Sequence, residues 1–367
     1  MTTLPALARE KLSATERLRC TEYWCALSEL GTRKLRRQAR SPYALEKLWL
    51  SAGAKQLSAA RRAQLAHWLA AEGQVLFAWE PGFPEGLRNI PDAPVALFAC
   101  GALQCFEKPK VAMVGSRAAS HSGVTLARQL AAALSRAGVL VVSGLAQGID
   151  CAAHAGALSV ERPTIAIPGS GLNNLYPRTH SGIAQRILEA GGVLLSEYAP
   201  WVAPRRASFP ARNRLISGLA AGVVVVQAAP RSGSLITARL AAEQGREVMA
   251  VPGNPGTAVA AGCNALLRDG AALVETAADV FAALGWAQPS ASSASSASSA
   301  ALDAAQGAVT AAPDDTRVLA ALDGLPVSAE ALAQFVGLSP ARLQRAILQL
   351  ELAGLVRATA RGYIRVS

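Results

Sequence analysis

Val111-Ala112-Met113-Val114-Gly115-Ser116-Arg117, continuing into Ala118-Ala119-Ser120-His121-Ser122-Gly123, decides how this chain is read. An apolar run ends in a Gly-Ser-Arg elbow, and an Ala/Leu-rich helical stretch begins at once. That order describes a buried parallel strand delivering a tight turn onto a helix N-terminus. Free backbone N–H groups and the helix dipole favour an anion there. Arg117 adds a permanent positive charge whose planar donor fork suits phosphate. The elbow reads as a phosphate site, without saying whose phosphate it takes.

Three absences narrow the choice. The spacing from Gly115 to Gly123 does not fit GxGxxG, and no GxxxxGK[ST] occurs anywhere in the chain. The next strand, Val139-Leu140-Val141-Val142-Ser143-Gly144, ends without the acidic residue that would hold an NAD ribose. A mononucleotide, a sugar phosphate or a nucleic-acid backbone remains open.

Outward from the elbow, strands and helices alternate. Strands are expected at 111–115, 139–143, 163–168, 192–196, 222–227, 247–251 and 271–275, most of them continuous Val/Ile/Leu/Ala runs. Such runs suit strands buried on both faces of a parallel sheet. Leu126, Leu130 and Leu134 recur every fourth residue on one helix, and Gly138 ends it. The expected fold is α/β: an extended Rossmann-like, doubly wound parallel sheet with its site along the carboxyl ends of the strands.

The flanks differ in character. Residues 1–78 read as a small helical domain (of SAM or helix-hairpin type), with helices at 21–30, 33–40 and 44–50. Its Arg33-Lys34-Leu35-Arg36-Arg37 run suits a phosphate backbone and a solvated helix face equally well. The Rossmann-like domain then spans 79–287. Residues 288–315 are a Ser/Ala-rich stretch expected to be a disordered linker, reaching about 30 Å as a flexible coil. Residues 316–367 read as a winged helix. Ser339-Pro340 starts a helix bearing Leu343, Ile347 and Leu350 on one face, and a hairpin turning at Arg361-Gly362 follows. That helix offers only Arg342, Gln344 and Arg345 to DNA, so a protein contact is at least as well supported.

The formal net charge is +11. Residues 1–80 carry 13 Lys/Arg against 7 Asp/Glu, so the surplus is concentrated in the helical head. A polyanionic partner fits this balance, as does a generally arginine-rich composition. No apolar run approaches the ~20 residues of a membrane span, and the N-terminus lacks a signal-peptide pattern. The six cysteines are scattered without a CxxC pair or zinc spacing. They read as reduced thiols of a cytoplasmic protein. No motif calls for a metal or nucleotide cofactor, and none is expected.

Several elements converge on one edge of the expected sheet. Gly144 opens the Gly-rich turn after the second strand, and Gly169 and Ser170 stand after the third. Ser232, Gly233 and Ser234 follow the fifth and open a helix. Between strands four and five lies Arg205-Arg206-Ala207-Ser208-Phe209-Pro210-Ala211-Arg212-Asn213-Arg214. Four arginines around one aromatic form the mixture that a single-stranded nucleic acid requires. Guanidiniums meet phosphates, and Phe209 offers a stacking face worth roughly 1–3 kcal/mol per base. The competing reading buries Phe209 and pairs Arg212 or Arg214 with a carboxylate such as Glu197.

The motifs VAMVGSRAAS (111–120), VVSGLAQGIDCAAHAGAL (141–158), SGLNNLYP (170–177), FPARNRLISGLAAGVVVVQA (209–228), SGSLITARLAAEQGREVMAVPGN (232–254) and GCNALLRDGA (262–271) carry a resemblance. Over about residues 80–285 the sequence resembles the DNA-processing protein A (DprA) family of bacterial natural transformation. The resemblance implies an extended Rossmann fold that binds and protects incoming single-stranded DNA and helps load the RecA recombinase on it. Single-stranded DNA-binding protein is a further candidate partner. On this reading Gly115, Ser116, Arg117, Gly144, Gly169, Ser170, Arg205, Arg206, Phe209, Arg212, Arg214, Ser232, Gly233 and Ser234 form the DNA site. Arg117 would hold a phosphate, Arg206 stands where relatives can have lysine, and Phe209 would meet a base. Gln227 departs from a more usual Glu. The resemblance also implies a homodimer through the Rossmann domain, expected around Asn264, Leu266, Leu267 and Leu273, although core packing explains some of these leucines equally well.

The rival class is an enzyme of phosphoribohydrolase type, which cleaves nucleoside monophosphates and carries PGGxGTxxE at a comparable junction. Here that junction reads PRSGSLITARLAAE (230–243), without the second glycine or the Glu at its spacing. Asp150 and His154 share a helix face and could imitate an acid–base pair. A capping Asp150 and a hydrogen-bonded structural His154 are favoured, since no third ligand or nucleophile stands beside them. No catalytic residue is assigned.

Overall fold

The computed structural model describes residues 12–29, 39–53, 55–288, 314–315, 318–319, 322, 329–336, 338–359 and 362–365. The basic run at 33–37, the turn residue Arg361 and nearly all of the expected linker lie outside these residues. Two compact units form, Met1–Gln288 and Pro289–Ser367.

The first unit opens with three helices, α1 (Ala14–Glu29), α2 (Pro42–Ser51) and α3 (Ala59–Ala70), followed by strand β1 (Gln74–Phe77). Ser41 starts α2 by accepting from the Ala44 N–H at 3.1 Å, with Pro42 in the first turn where its missing N–H costs nothing. A short α4 (Glu85–Arg88) and β2 (Ala96–Gly101) lead into the alternating region. There β3 (Lys110–Val114), α5 (His121–Arg136), β4 (Leu140–Ser143), α6 (Ile149–Leu158), β5 (Thr164–Ala166), α7 (Ser181–Glu189) and β6 (Val193–Ser196) follow in turn. They continue with α8 (Ser208–Leu219), β7 (Gly222–Val225), α9 (Gly233–Glu243), β8 (Glu247–Ala250), α10 (Ala258–Arg268), β9 (Ala272–Leu273) and α11 (Ala277–Ala283).

One nine-stranded sheet runs in the order β1-β2-β6-β5-β4-β3-β7-β8-β9. All seven strands expected from the apolar runs are present, and they pair in parallel. The two added strands are antiparallel, β2 on β6 and β1 on β2. The parallel sheet is therefore extended at one edge by two strands that were not among the seven expected.

Alternation within β3 shows why its sequence is apolar from Val111 to Val114. Val111 and Met113 pack on one face, with Leu130, Leu134 and Ala153 of α5 and α6. Ala112 and Val114 pack on the other, with Leu215 and Ile216 of α8 and Ala238 of α9. Each such fully buried Val or Met contributes about 1.5–3 kcal/mol. On α5, Ser120 caps the start and Leu130 and Leu134 face inward. Gly138, at φ +83°, turns the chain out of the helix as the sequence predicts.

The expected domain boundary at 78 needs correction. β1 is hydrogen-bonded into the sheet, so the helical head ends before it. The head shares a core with the sheet: Trp68 of α3 lies edge-on to Phe98 of β2 at 5.7 Å, and Trp24, Leu45 and Phe77 join the same cluster.

The second unit holds α12 (Ala329–Val336), α13 (Pro340–Leu352) and the antiparallel hairpin β10 (Val356–Thr359) and β11 (Gly362–Arg365), a winged-helix arrangement. Leu343, Ile347 and Leu350 of α13 are buried against Val318, Leu332 and Val356, the face the sequence predicts. Arg342 is already engaged: its Nη2 and Nε meet the Asp314 carboxylate at 2.7 and 2.8 Å.

Candidate nucleic-acid interface

The sheet order places β3 beside β7, while their following helices depart to opposite faces: α5 packs with the cluster of Met113, and α9 with that of Val114. That is the topological switch point of a doubly wound sheet, where a crevice opens at the strand ends. A cleft of about 880 Å³ lies there. The first turns of α6, α8 and α9 line it, together with the Gly115–Ala118 elbow that leads towards α5.

The elbow after β3 is built by close approach. A Cβ on Gly115 would stand 2.5 Å from Ile149 Cγ1, so only glycine lets α6 pack there. Ser116 N–H donates to the Gln227 carbonyl at 2.7 Å, and its own carbonyl accepts from Ile149 N–H at 3.2 Å. Gln227 ties the elbow to α5: its Oε1 accepts from Ser120 N–H at 2.9 Å and its Nε2 donates to Ser120 Oγ at 2.7 Å. A neutral amide both donates and accepts, so Gln227 holds Ser120 on two sides. The amides of Ser116 and Ser120 are thereby used internally, and that of Ala118 donates to Ser116 Oγ. What the elbow offers outward is the exposed Arg117 side chain rather than the backbone nest expected from sequence.

On the β7 side Ser232 caps α9, its Oγ 2.7 Å from Ser234 Oγ and accepting from Ser234 N–H at 3.3 Å. Gly233 is open to the cleft, and Ser232 and Ser234 line it too. The turns after β4 and β5 do not share this exposure. Gly144 is buried; its N–H donates to Asp150 Oδ2 and its carbonyl accepts from Arg212 Nη1. Gly169 lies under the Phe209 ring, and Ser170 is fully buried. The expectation of four phosphate-facing Gly-rich turns reduces to two, because the crevice opens only where the winding reverses.

The arginine cluster divides in the same way. Arg205 and Arg206 precede α8, are exposed and line the cleft. Phe209, Arg212, Asn213 and Ile216 line it from one face of α8 at helical spacing. Arg212 is only 4% exposed, its Nη1 2.6 Å from the Gly144 carbonyl. Burial pushes its pKa down to about 10 despite the nearby Asp150. Burial likewise raises the Asp150 carboxyl, which Arg212 and the Ala146 and Gly144 amides oppose. Arg214 points away from the cleft: Nη2 meets Glu197 Oε1 at 2.7 Å and Nε meets Asp92 Oδ2 at 3.2 Å. Expected on the strand-binding surface, it is instead the interior partner of two carboxylates.

Phe209 is half-buried in the cleft wall. The Arg117 guanidinium sits 5.2 Å over its ring, and Tyr176 leans on it at 5.8 Å and 57°. Tyr176, Asn213 and Arg231 are cleft residues that the sequence reading did not assign. Tyr176 stands before a proline in the Gly/Asn-rich run 169–177, where an aromatic in a turn segment is the available signal.

His154 is wholly buried. Thr164 Oγ1 donates to the Val141 carbonyl, so it accepts from His154 Nδ1 at 2.9 Å, which places the imidazole proton on Nδ1. Burial, with Arg212 nearby, pushes its pKa down to about 3. Asp150 lies one residue inside α6 and braces the loop after β4, while Gly148 holds the cap position. His121 is exposed at the start of α5. Among the described residues, no three His, Cys, Asp or Glu gather as a metal set, and no helix is long and apolar enough to cross a membrane.

Of the expected dimer residues, Leu266 and Leu267 pack partly into the core. Asn264 is clamped to the loop after β8, giving and taking bonds with Gly253 at 2.9 and 3.1 Å. Leu273, on the edge strand β9, is 52% exposed.

A family model for DNA recombination-mediator protein A matches residues 74–285, which include the nine-stranded sheet and the residues that line the cleft. The chain belongs to the DNA recombination-mediator protein A family. A second match, to the DprA winged helix domain, covers residues 294–360. Protein Smf of Escherichia coli K12 is 39% identical over 288 residues, 77% of this chain and 75% of that one. DNA processing protein DprA of Streptococcus pneumoniae is 44% identical over 200 residues, 54% of this chain and 70% of that one. The crystal structure of the pneumococcal DprA superposes with a TM-score of 0.59 at 34% identity, covering 74% of this chain and 98% of that one. DprA of Helicobacter pylori, solved to explain its single-stranded DNA binding mode, gives 0.53 at 30% identity, covering 58% of this chain and 95% of that one.

Proposed function

We propose that this member of the DNA recombination-mediator protein A family binds single-stranded DNA in the switch-point cleft. It shields the strand and helps load a RecA recombinase on it during natural transformation. The observation that carries this reading is the convergence of outward-facing Arg117, Arg205, Arg206 and Arg231, the open start of α9 and an aromatic pair on one cleft. Cations and helix N-termini grip phosphates, which carry no sequence information, so binding is sequence-tolerant. An aromatic face stacks only on an unpaired base, so single strands are preferred over duplex. The Helicobacter pylori relative, described for its single-stranded DNA binding mode, supports the same ligand. Self-association through the edge bearing Leu273, and contact with single-stranded DNA-binding protein, belong to the same cytoplasmic proposal.

Fluorescence anisotropy with single- and double-stranded oligonucleotides of equal length, at several salt concentrations and with ATP as a control, tests the reading. Tighter binding of the single strand, weakening with salt and indifferent to ATP, is expected. Equal affinity for both forms, or none for either, overturns it.

A further inference from the structure

The helical head carries a basic stretch that the cleft does not account for. Residues 47–71 hold Lys47, Lys55, Arg61 and Arg62 and no Asp or Glu, so all seven acidic residues of 1–80 fall outside it. The segments it meets are acid-free as well, since 162–188 and 198–242 contain no Asp or Glu. The meeting point is a single contact. In the first turn of α3 the Arg61 guanidinium lies 5.1 Å over the ring of half-buried Trp201, and its Nη1 donates to Gln64 Oε1 at 2.8 Å. Arg62 beside it is exposed.

Trp201 belongs to a ridge that runs back to the cleft. β5 and β6 end on the same edge of the sheet as β3 and β7, and the loops that follow them are hydrogen-bonded together. Gly171 N–H donates to the Val202 carbonyl at 2.9 Å, Asn173 N–H to the Pro200 carbonyl at 3.0 Å, and Asn174 Nδ2 to the Trp201 carbonyl at 2.9 Å. One end of the ridge carries Arg205 and Arg206 in the cleft wall, and the other carries Trp201 under Arg61. Trp201 and Arg205 are four residues apart, at most about 14 Å of chain. An anionic strand leaving the cleft at Arg205 therefore meets the start of α3 across segments that contain no carboxylate side chain.

We propose that the start of α3 continues the phosphate path of the cleft, with Arg61 and Arg62 holding the backbone of a single strand where it runs over the Trp201 ridge onto the head. This rests on the single-strand reading and extends it: the cleft grips the strand, and the head lengthens the footprint. Trp201 acts through Arg61, as a positioning residue whose ring keeps the guanidinium at the ridge. Phosphate contacts carry no sequence information, so the extension is sequence-tolerant.

The test is fluorescence anisotropy on the full chain with oligo-dT of increasing length, from about 4 to 20 nucleotides, at several salt concentrations. It compares Arg61→Ala/Arg62→Ala with a charge-matched control, Arg136→Ala/Arg162→Ala. The control arginines are exposed and stand at the end of α5 and just before β5, at the opposite end of the strands. The shortest strand that binds should bind the native protein and the head variant alike. As length grows, the native protein should gain affinity that the head variant does not, ending about 5- to 30-fold apart. The salt slope for the long strand should fall by about 1.4, two contacts at about 0.7 each. The control should follow the native protein throughout. Arg62→Ala alone, which leaves the Trp201 contact in place, should show half of the slope change and melt like the native protein. Equal losses at every length would place the effect in the cleft, and no loss at any length would leave the head without a strand contact. An equal loss in the control would assign the effect to net charge. Each of these three outcomes overturns the proposal and leaves the single-strand reading standing. A native protein that binds none of the strands removes both.

Discussion

The mouth of the cleft and its underside use the same residue type for opposite purposes. At the mouth, Arg117, Arg205, Arg206 and Arg231 are exposed and line open space. Underneath, Arg212 and Arg214 are 4% and 6% exposed and spend their donors on the Gly144 carbonyl and on Glu197 and Asp92. Arginine's fork suits both tasks, a phosphate outside or a carbonyl and carboxylates inside. Helical phase decides between them. Arg205 and Arg206 precede α8, whereas Arg212 and Arg214 lie on different sides of it. Counting charges in the sequence therefore overstates the binding surface, because two of the four arginines in the cluster are committed to the interior.

The sharpest way to break this comparison is Arg214→Ala. Removing one partner of a buried pair strands the charge of Glu197, itself 4% exposed, and should cost about 3–5 kcal/mol of stability. Arg205→Ala, at the mouth, should stay within about 0.5 kcal/mol of native. Urea melts of both variants measure the difference. If Arg214→Ala melts like the native protein and loses DNA affinity instead, the underside is part of the mouth after all.

Acid should separate the regions next. His154 is held neutral in the fold with its pKa near 3, against an ordinary value near 6.5. The unfolded chain therefore binds the extra proton first as pH falls. The stability that the neutral form contributes is complete above about pH 6.5 and declines below it, down to about pH 3, at roughly 1.4 kcal/mol per pH unit. Between pH 6.5 and 5 this amounts to about 2 kcal/mol. His154→Asn, which can still donate to Thr164, should flatten the pH dependence of the melting temperature. Identical slopes in the two proteins would show that the loss belongs to other groups.

The sequence made the parallel sheet readable because strands buried on both faces are apolar at every position, as Val111, Ala112, Met113 and Val114 are. β2 has the same apolar run, Ala96 to Cys100, but lies upstream of the alternating strand–helix region and is not among the expected strands. β1 is harder to see, being four residues long and opening on exposed Gln74. In the site, the elbow and the β7 turn were legible because a glycine, a small polar residue and a helix start coincide there. The fates of Gly144 and Arg212 were not, since they depend on a contact between the turn after β4 and a helix 68 residues later. Tyr176 escaped for a different reason: it sits in a loop, where no periodicity shows which way a ring faces.

The smallest expected effect is also the most diagnostic of the mouth. Each cation that meets a phosphate releases condensed counterions, so the slope of log affinity against log salt counts such contacts, at about 0.7 per contact for a single strand. Arg206→Ala should lower affinity and flatten that slope by roughly one contact, with no change in melting. Phe209→Ala should lower affinity with the slope almost unchanged, because stacking displaces no ions. Arg117→Ala combines the two behaviours. It removes a phosphate contact and also a cation–π contact with the Phe209 ring, worth about 0.5–1 kcal/mol at an exposed site. Its slope should flatten as in Arg206→Ala, but its affinity loss should be larger, because the ring loses a neighbour that holds it. The double variant Arg117→Ala/Phe209→Ala decides this. A loss smaller than the two single losses combined would mean that arginine and ring grip the strand as one unit. A strictly additive loss would mean that each meets the strand on its own.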